Sequence, residues 1–167
     1  MSVTLELSFS ESVEAEQEDI PGAAAIQRWA EQACLCDESV IVSVQIVSAD
    51  EMRELNKSWR GHDMATNVLS FTMPSPDVID VKILGDLALC AAVIKAEAMQ
   101  QHKAGDAHWA HMLVHGMLHL QGYDHIDDSQ AGQMEALEIL ILSQLGYSNP
   151  YLEYADKRVD EKSEIIR

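Results

Sequence analysis

Cysteine is scarce in this chain of 167 residues, and the three present (Cys34, Cys36 and Cys90) are too few for a disulfide framework. A chain of this length buries roughly two thirds of its unfolded surface without such staples, so a reducing compartment is expected. Basic residues are also in short supply, 11 against 28 acidic, and the net charge is −17. That balance excludes a protein that grips nucleic acid or anionic membrane with its whole surface; any phosphate binding must be local. Long apolar runs are missing as well. The longest, Leu87 to Ile94, falls far short of the roughly 20 residues that span a bilayer. Met1 to Glu6 lack the basic start and apolar stretch of a secretory signal. The expectation is a cytoplasmic chain with no membrane partner.

Hydrophobic residues make up 47% and charged residues 23%, ordinary globular usage that predicts a packed core in a single domain. Val3, Leu5, Leu7 and Phe9 alternate with polar residues in the period of a half-buried strand. After an acidic, solvated connector from Glu11 to Asp19, Ile26, Trp29, Ala30 and Ala33 mark one stripe of a helix over Ala23 to Cys34. Val40 to Val47 is rich in β-branched residues and reads as a strand. Asp50 can cap a helix through Trp59, and a polar loop from Arg60 to Asn67 leads to a strand over Val68 to Thr72, ended by Pro74 and Pro76. Ile83 to Cys90 gives a fourth strand, followed by an Ala-rich helix to about Gln101. Asp106 to Gln121 is apolar almost all round outside its histidines, as a central buried helix would be, and Gly122 stops it in the manner of a left-handed cap. A last helix runs from about Asp128 to Leu145, before Gly146. The predicted architecture is α+β: one mixed four-stranded sheet packed with about five helices in a domain over 1–150, with a charged, frayed tail over 151–167.

Six of the seven histidines fall between His102 and His125. His115 and His119 stand one helical turn apart on the same side and can point both imidazoles at one ion. Gly122 lets the chain turn back, so that His125 can complete a three-nitrogen site. Three protein ligands with an open position are the catalytic form of a zinc site, although nickel, copper or iron also accept imidazole. The H-x3-H-x5-H spacing is that of metzincin proteases, yet those carry a general-base Glu directly after the first His. Here that position is Gly116, which weakens a peptidase reading. His111, one turn before His115, suits either a second layer around the ligands or a filled core position.

The stretch His115-Gly116-Met117-Leu118-His119-Leu120-Gln121-Gly122-Tyr123-Asp124-His125 resembles the H-G-x-L-H-L-x-G-Y-D-H signature of the YbeY family, metal-dependent endoribonucleases of ribosomal RNA maturation. Leu55-Asn56, Trp59-Arg60-Gly61, Asp63, Thr66 to Phe71 and Leu84-Gly85-Asp86 agree with it in family order. The departures are Trp59, His62, Ala65 and Thr72, where the family more usually has tyrosine, lysine, proline and proline.

The resemblance implies a Zn2+ ion on His115, His119 and His125 and a functional arginine at Arg60. A guanidinium is permanently charged and forked, able to hold two phosphate oxygens and to stabilise charge growing in a phosphoryl transition state; otherwise Arg60 is a surface residue paired with Asp63. Asn67, Ser70 and Asp86 can shape the cleft, though turn chemistry explains them equally. The implied activity is cleavage of single-stranded rRNA, in 16S rRNA 3′ end processing and ribosome quality control. With −17 net charge and few cations near the motifs (Lys57, Arg60, Lys82, Lys103), affinity for naked RNA should be weak. Presentation by a larger assembly is then expected, which the resemblance identifies as the small ribosomal subunit with its ribosome-associated proteins. The rivals are a metallopeptidase-like hydrolase and a non-catalytic ribosome assembly factor with the metal as a staple.

Overall fold

The computed structural model describes residues 2–13, 19–74 and 81–151. Strands β1 (Val3–Phe9), β2 (Val40–Val47), β3 (Val68–Thr72) and β4 (Lys82–Cys90) form one sheet in the order β1-β2-β4-β3. β1, β2 and β4 run parallel, and β3 pairs antiparallel with β4 at the edge. The helices are α1 (Ala23–Ala33), α2 (Ala49–Arg60), α3 (Ala91–Gln100), α4 (Gly105–Leu120) and α5 (Asp128–Gln144). This is the mixed α+β arrangement that the sequence predicts.

Period-two alternation divides the sheet into two faces. Val40, Val42, Val44 and Ile46 of β2 are sealed in one core with Trp29 of α1, Trp109, Leu113 and Met117 of α4, and Ile141 and Leu142 of α5. Val47, Leu69, Ala88 and Cys90 form a smaller cluster on the opposite face with Met52 and Leu55 of α2. Neighbours in β3 therefore look both ways: Leu69 and Phe71 toward α2, Val68 and Ser70 toward α4. The edge strand thus joins the end of α2 to the end of α4.

Gly85 shows how closely the layers meet. It stands at φ +140°, where a shift in the β2–β4 register interrupts the ladder, and a Cβ there would lie 2.1 Å from the carbonyl oxygen of Phe71. Only glycine fits that approach.

Two expectations need correction. Ser48, not Asp50, caps α2: its hydroxyl accepts the Glu51 amide at 3.3 Å. β2 ends at Val47, so the chain enters the helix at once, and Ser48 is the residue still in extended conformation. The frayed tail also cannot begin at 151, because Tyr151 is half-buried and hydrogen-bonded to α5; 152–167 lie outside the described residues. So do 14–18 of the acidic connector, whose Asp19 pairs with Lys95 at 2.7 Å, and 75–80 beyond Pro74. No helix among the described residues is long and apolar enough to cross a membrane.

Candidate metal centre

α4 is buried along nearly its whole length, and its C-terminal half carries the first two histidines, one turn apart. The helix closes in a Schellman motif: Gly122, at φ +98°, donates to the His119 carbonyl at 3.0 Å, and Tyr123 donates to the Leu118 carbonyl at 3.1 Å. This reversal is the turn expected from Gly122, and it brings His125 back over the helix end. The rings of His115 and His119 then lie 4.6 Å apart between centroids, and His125 lies 5.6 and 5.1 Å from them.

One nitrogen from each ring falls within 4.8 Å of the other two. His115 Nε2 and His119 Nε2 are 3.1 Å apart. Tetrahedral zinc ligands at about 2.0–2.1 Å from the ion stand roughly 3.3 Å from one another, so this pair already has ligand spacing. Burial, followed by the neighbouring His115 and His125 rings, holds the His119 imidazole below its ordinary pKa, which favours the neutral form that binds metals. His125 is well exposed, so the cluster opens to solvent on that side. Three positioned histidines, with no fourth ligand grouped with them among the described residues, fit a metal ion that keeps a position for water or substrate.

Behind the ligands stands a carboxylate missed in the sequence. Glu138 of α5 is 1% exposed, and its Oε1 accepts from His115 Nδ1 at 2.6 Å. That bond leaves the His115 Nε2 lone pair for a metal and sets the ring's orientation. His111, buried in the core, brings its Nε2 within 3.4 Å of the same oxygen, behind the three-histidine cluster. Burial pushes the Glu138 carboxyl up, but the hydrogen bonds from His111 and His115 outweigh it and hold the group at about 2. A signal was available: Met134, Glu138, Ile141 and Leu142 occupy one stripe of α5, and an acid within a buried stripe demands a partner.

Gly116 explains the missing protease base. A Cβ there would stand 2.9 Å from Leu87 and 3.2 Å from Val68, because α4 lies directly on the sheet at this point. The residue after the first histidine faces the core and not the ion. Gly116→Ala should cost about 1–2 kcal/mol, overpacking outweighing the gain in helix propensity; the thermal midpoint should fall by roughly 2–8 °C, and an unchanged midpoint would contradict the packing argument.

Arg60 is exposed at the last position of α2. Its expected alternative partner is taken: Asp63 is held by Arg53 through two hydrogen bonds of 2.7 and 3.2 Å. Asn56 donates to the Met64 carbonyl at 2.9 Å and folds the following loop back on the helix. Beside Arg60, Trp59 packs edge-on against Phe71 of β3 at 5.6 Å. The next β3 residue inward, Ser70, donates to the Gly116 carbonyl at 3.3 Å. Asn67 bonds Glu97, which in turn meets the buried His108 at 3.0 Å; these residues brace the start of β3 against α3 and α4.

A family model described as Endoribonuclease YbeY matches residues 11–146. The chain belongs to the endoribonuclease YbeY family. Among YbeY relatives, the Endoribonuclease YbeY of Cellvibrio japonicus is 50% identical over 139 residues, 81% of this chain and 78% of that one. The protein of the same name from Stutzerimonas stutzeri is 49% identical over 136 residues, 80% and 84% of the two chains. A protein of Thermotoga maritima solved in solution shares the fold at a TM-score of 0.53 and 23% identity, covering 96% of this chain and 95% of its own. The span matched by the family model includes His115, His119 and His125, where the imidazoles converge.

Proposed function

We propose that this chain is a zinc-dependent endoribonuclease that cuts single-stranded rRNA presented on the small ribosomal subunit, in 16S rRNA 3′ end processing and ribosome quality control. The observation that carries this reading is the open three-histidine cluster, in a chain whose relatives bear the name endoribonuclease. When bound, zinc supplies Lewis acidity at the scissile phosphate and a water whose pKa is lowered to about 7.

The chain's own residues do the rest. His115, His119 and His125 hold the ion, and Glu138 keeps His115 in the ligating tautomer. No carboxylate base stands after His115, since Gly116 is pressed against the sheet. Arg60 holds phosphate oxygens and offsets charge that grows during cleavage. It shares the last turn of α2 with Lys57, a local cationic patch on a chain of net charge −17. Such a patch steers a phosphate but releases few counterions, so a cytoplasmic ribosomal particle must present the strand.

The test is direct. Purified chain supplied with zinc should cut a 16S-type precursor within the small subunit, a chelator should stop it, and added zinc should restore it. Cleavage that is unaffected by chelation would refute the metal reading. Nanomolar binding to isolated RNA oligomers at physiological salt would refute presentation by the particle.

A further inference from the structure

The hydrogen bonds behind the metal centre reach a part of the chain that no motif touches. After α5, Gly146 donates to the Ser143 carbonyl at 3.0 Å and Tyr147 to the Leu142 carbonyl at 2.8 Å, a second Schellman reversal. Tyr147 then seats edge-on against the buried Trp29 at 6.4 Å. The Tyr151 amide donates to Asn149 Oδ1 at 2.9 Å, which bends the segment inward. Its phenol arrives beside Glu138, 13 residues earlier, and donates to Oε2. The same hydroxyl lies 3.3 Å from His111 Nε2, with the two rings edge to face at 5.4 Å.

We propose that Tyr151 is a positioning residue for the metal centre: it latches the Glu138 carboxylate, and through it the His115 ring, in ligating orientation. The inference rests on His115 being a metal ligand. Two hydrogen bonds hold the two oxygens of Glu138, from His115 at Oε1 and from Tyr151 at Oε2, and His111 Nε2 stands 3.4 Å from Oε1. With both oxygens held, the carboxyl plane cannot turn, and the direction of its bond to His115 is set. Without the Tyr151 hydroxyl, Oε2 is a buried acceptor short of a partner, and the carboxylate turns toward water or toward His111. Simple satisfaction of a buried acid is the competing explanation. It fails to account for the acid itself, because an apolar residue at 138 would complete the α5 stripe at lower cost. A charge kept at 1% exposure against a metal-ligand candidate is the arrangement that orients histidine in metal sites.

The experiment uses the full chain, with zinc affinity measured by competition against a chromogenic chelator and cobalt(II) absorption as a spectroscopic reporter. Tyr151→Phe keeps the ring and removes one oxygen; it should weaken zinc binding about tenfold and shift the cobalt bands, on top of a modest fall in the metal-free thermal midpoint from the acceptor left short of a partner. Glu138→Gln should weaken binding by roughly 10–100-fold. A structural role alone would lower the metal-free midpoint of Tyr151→Phe while leaving zinc affinity and the cobalt spectrum as in the wild type, and that result overturns the latch. Failure of the wild-type chain to bind zinc or cobalt would overturn the latch and the metal reading together, whereas wild-type binding matched by Tyr151→Phe removes the latch alone.

Discussion

His119→Ala should empty the metal site and abolish RNA cleavage together. His119 lies at the centre of the cluster: its Nε2 is 3.1 Å from that of His115, and its ring is 5.1 Å from that of His125. Removing it leaves two nitrogens on opposite sides of a gap, one of them on an exposed loop residue. Metal catalysis contributes several kcal/mol of charge stabilisation to a phosphoryl transition state, so cleavage should fall by about 10³-fold or more. Zinc content by elemental analysis should drop from about one ion per chain to near zero. His115→Ala should behave alike and also leave Glu138 a buried carboxylate without one of its donors; its thermal midpoint should fall further than that of His119→Ala. Full zinc occupancy in His119→Ala would overturn the assignment of the ligands.

Arg60→Ala should separate binding of metal from turnover. The side chain is exposed at the end of α2, and its charge is not spent on Asp63, which Arg53 holds in a two-bond fork. Its loss should therefore leave zinc content and thermal midpoint unchanged. If the guanidinium stabilises charge on the phosphate, kcat should fall about 10²–10³-fold, the range for one preorganised donor. Arg60→Lys should recover only part of that, because an ammonium cannot make the paired contact. Single-turnover cleavage of the particle-bound precursor is the measurement. Wild-type rates in Arg60→Ala would remove Arg60 from the reaction.

These two outcomes draw on information of different kinds. The pairing of His115 with His119 was legible because their spacing is local: i and i+4 on a helix share a side whatever surrounds them. The turn that returns His125 was legible because Gly122 occupies a left-handed position, at φ +98°. Strand positions followed from alternation and β-branching with boundaries off by a residue at most, as in β4, which starts at Lys82 and not Ile83. The start of α2 was misread because Ser48 and Asp50 are both good caps; the end of β2 decides between them, and pattern alone does not show it. For Arg60, two arginines lay within reach of Asp63, and only the curl of the loop after Gly61 selects Arg53.

Amino-acid order alone settled that an imidazole pair would share one side of a buried helix, followed by a glycine-driven reversal, since hydrophobic period and backbone sterics act over a few residues. Packing settled what stands behind that pair. Glu138 meets His115 across 23 residues and Tyr151 meets Glu138 across 13, through the way α5 lies on α4 and the chain folds back after Gly146. Contacts of that kind are chosen by the burial of whole faces, a property of the assembled layers that no short window of sequence contains.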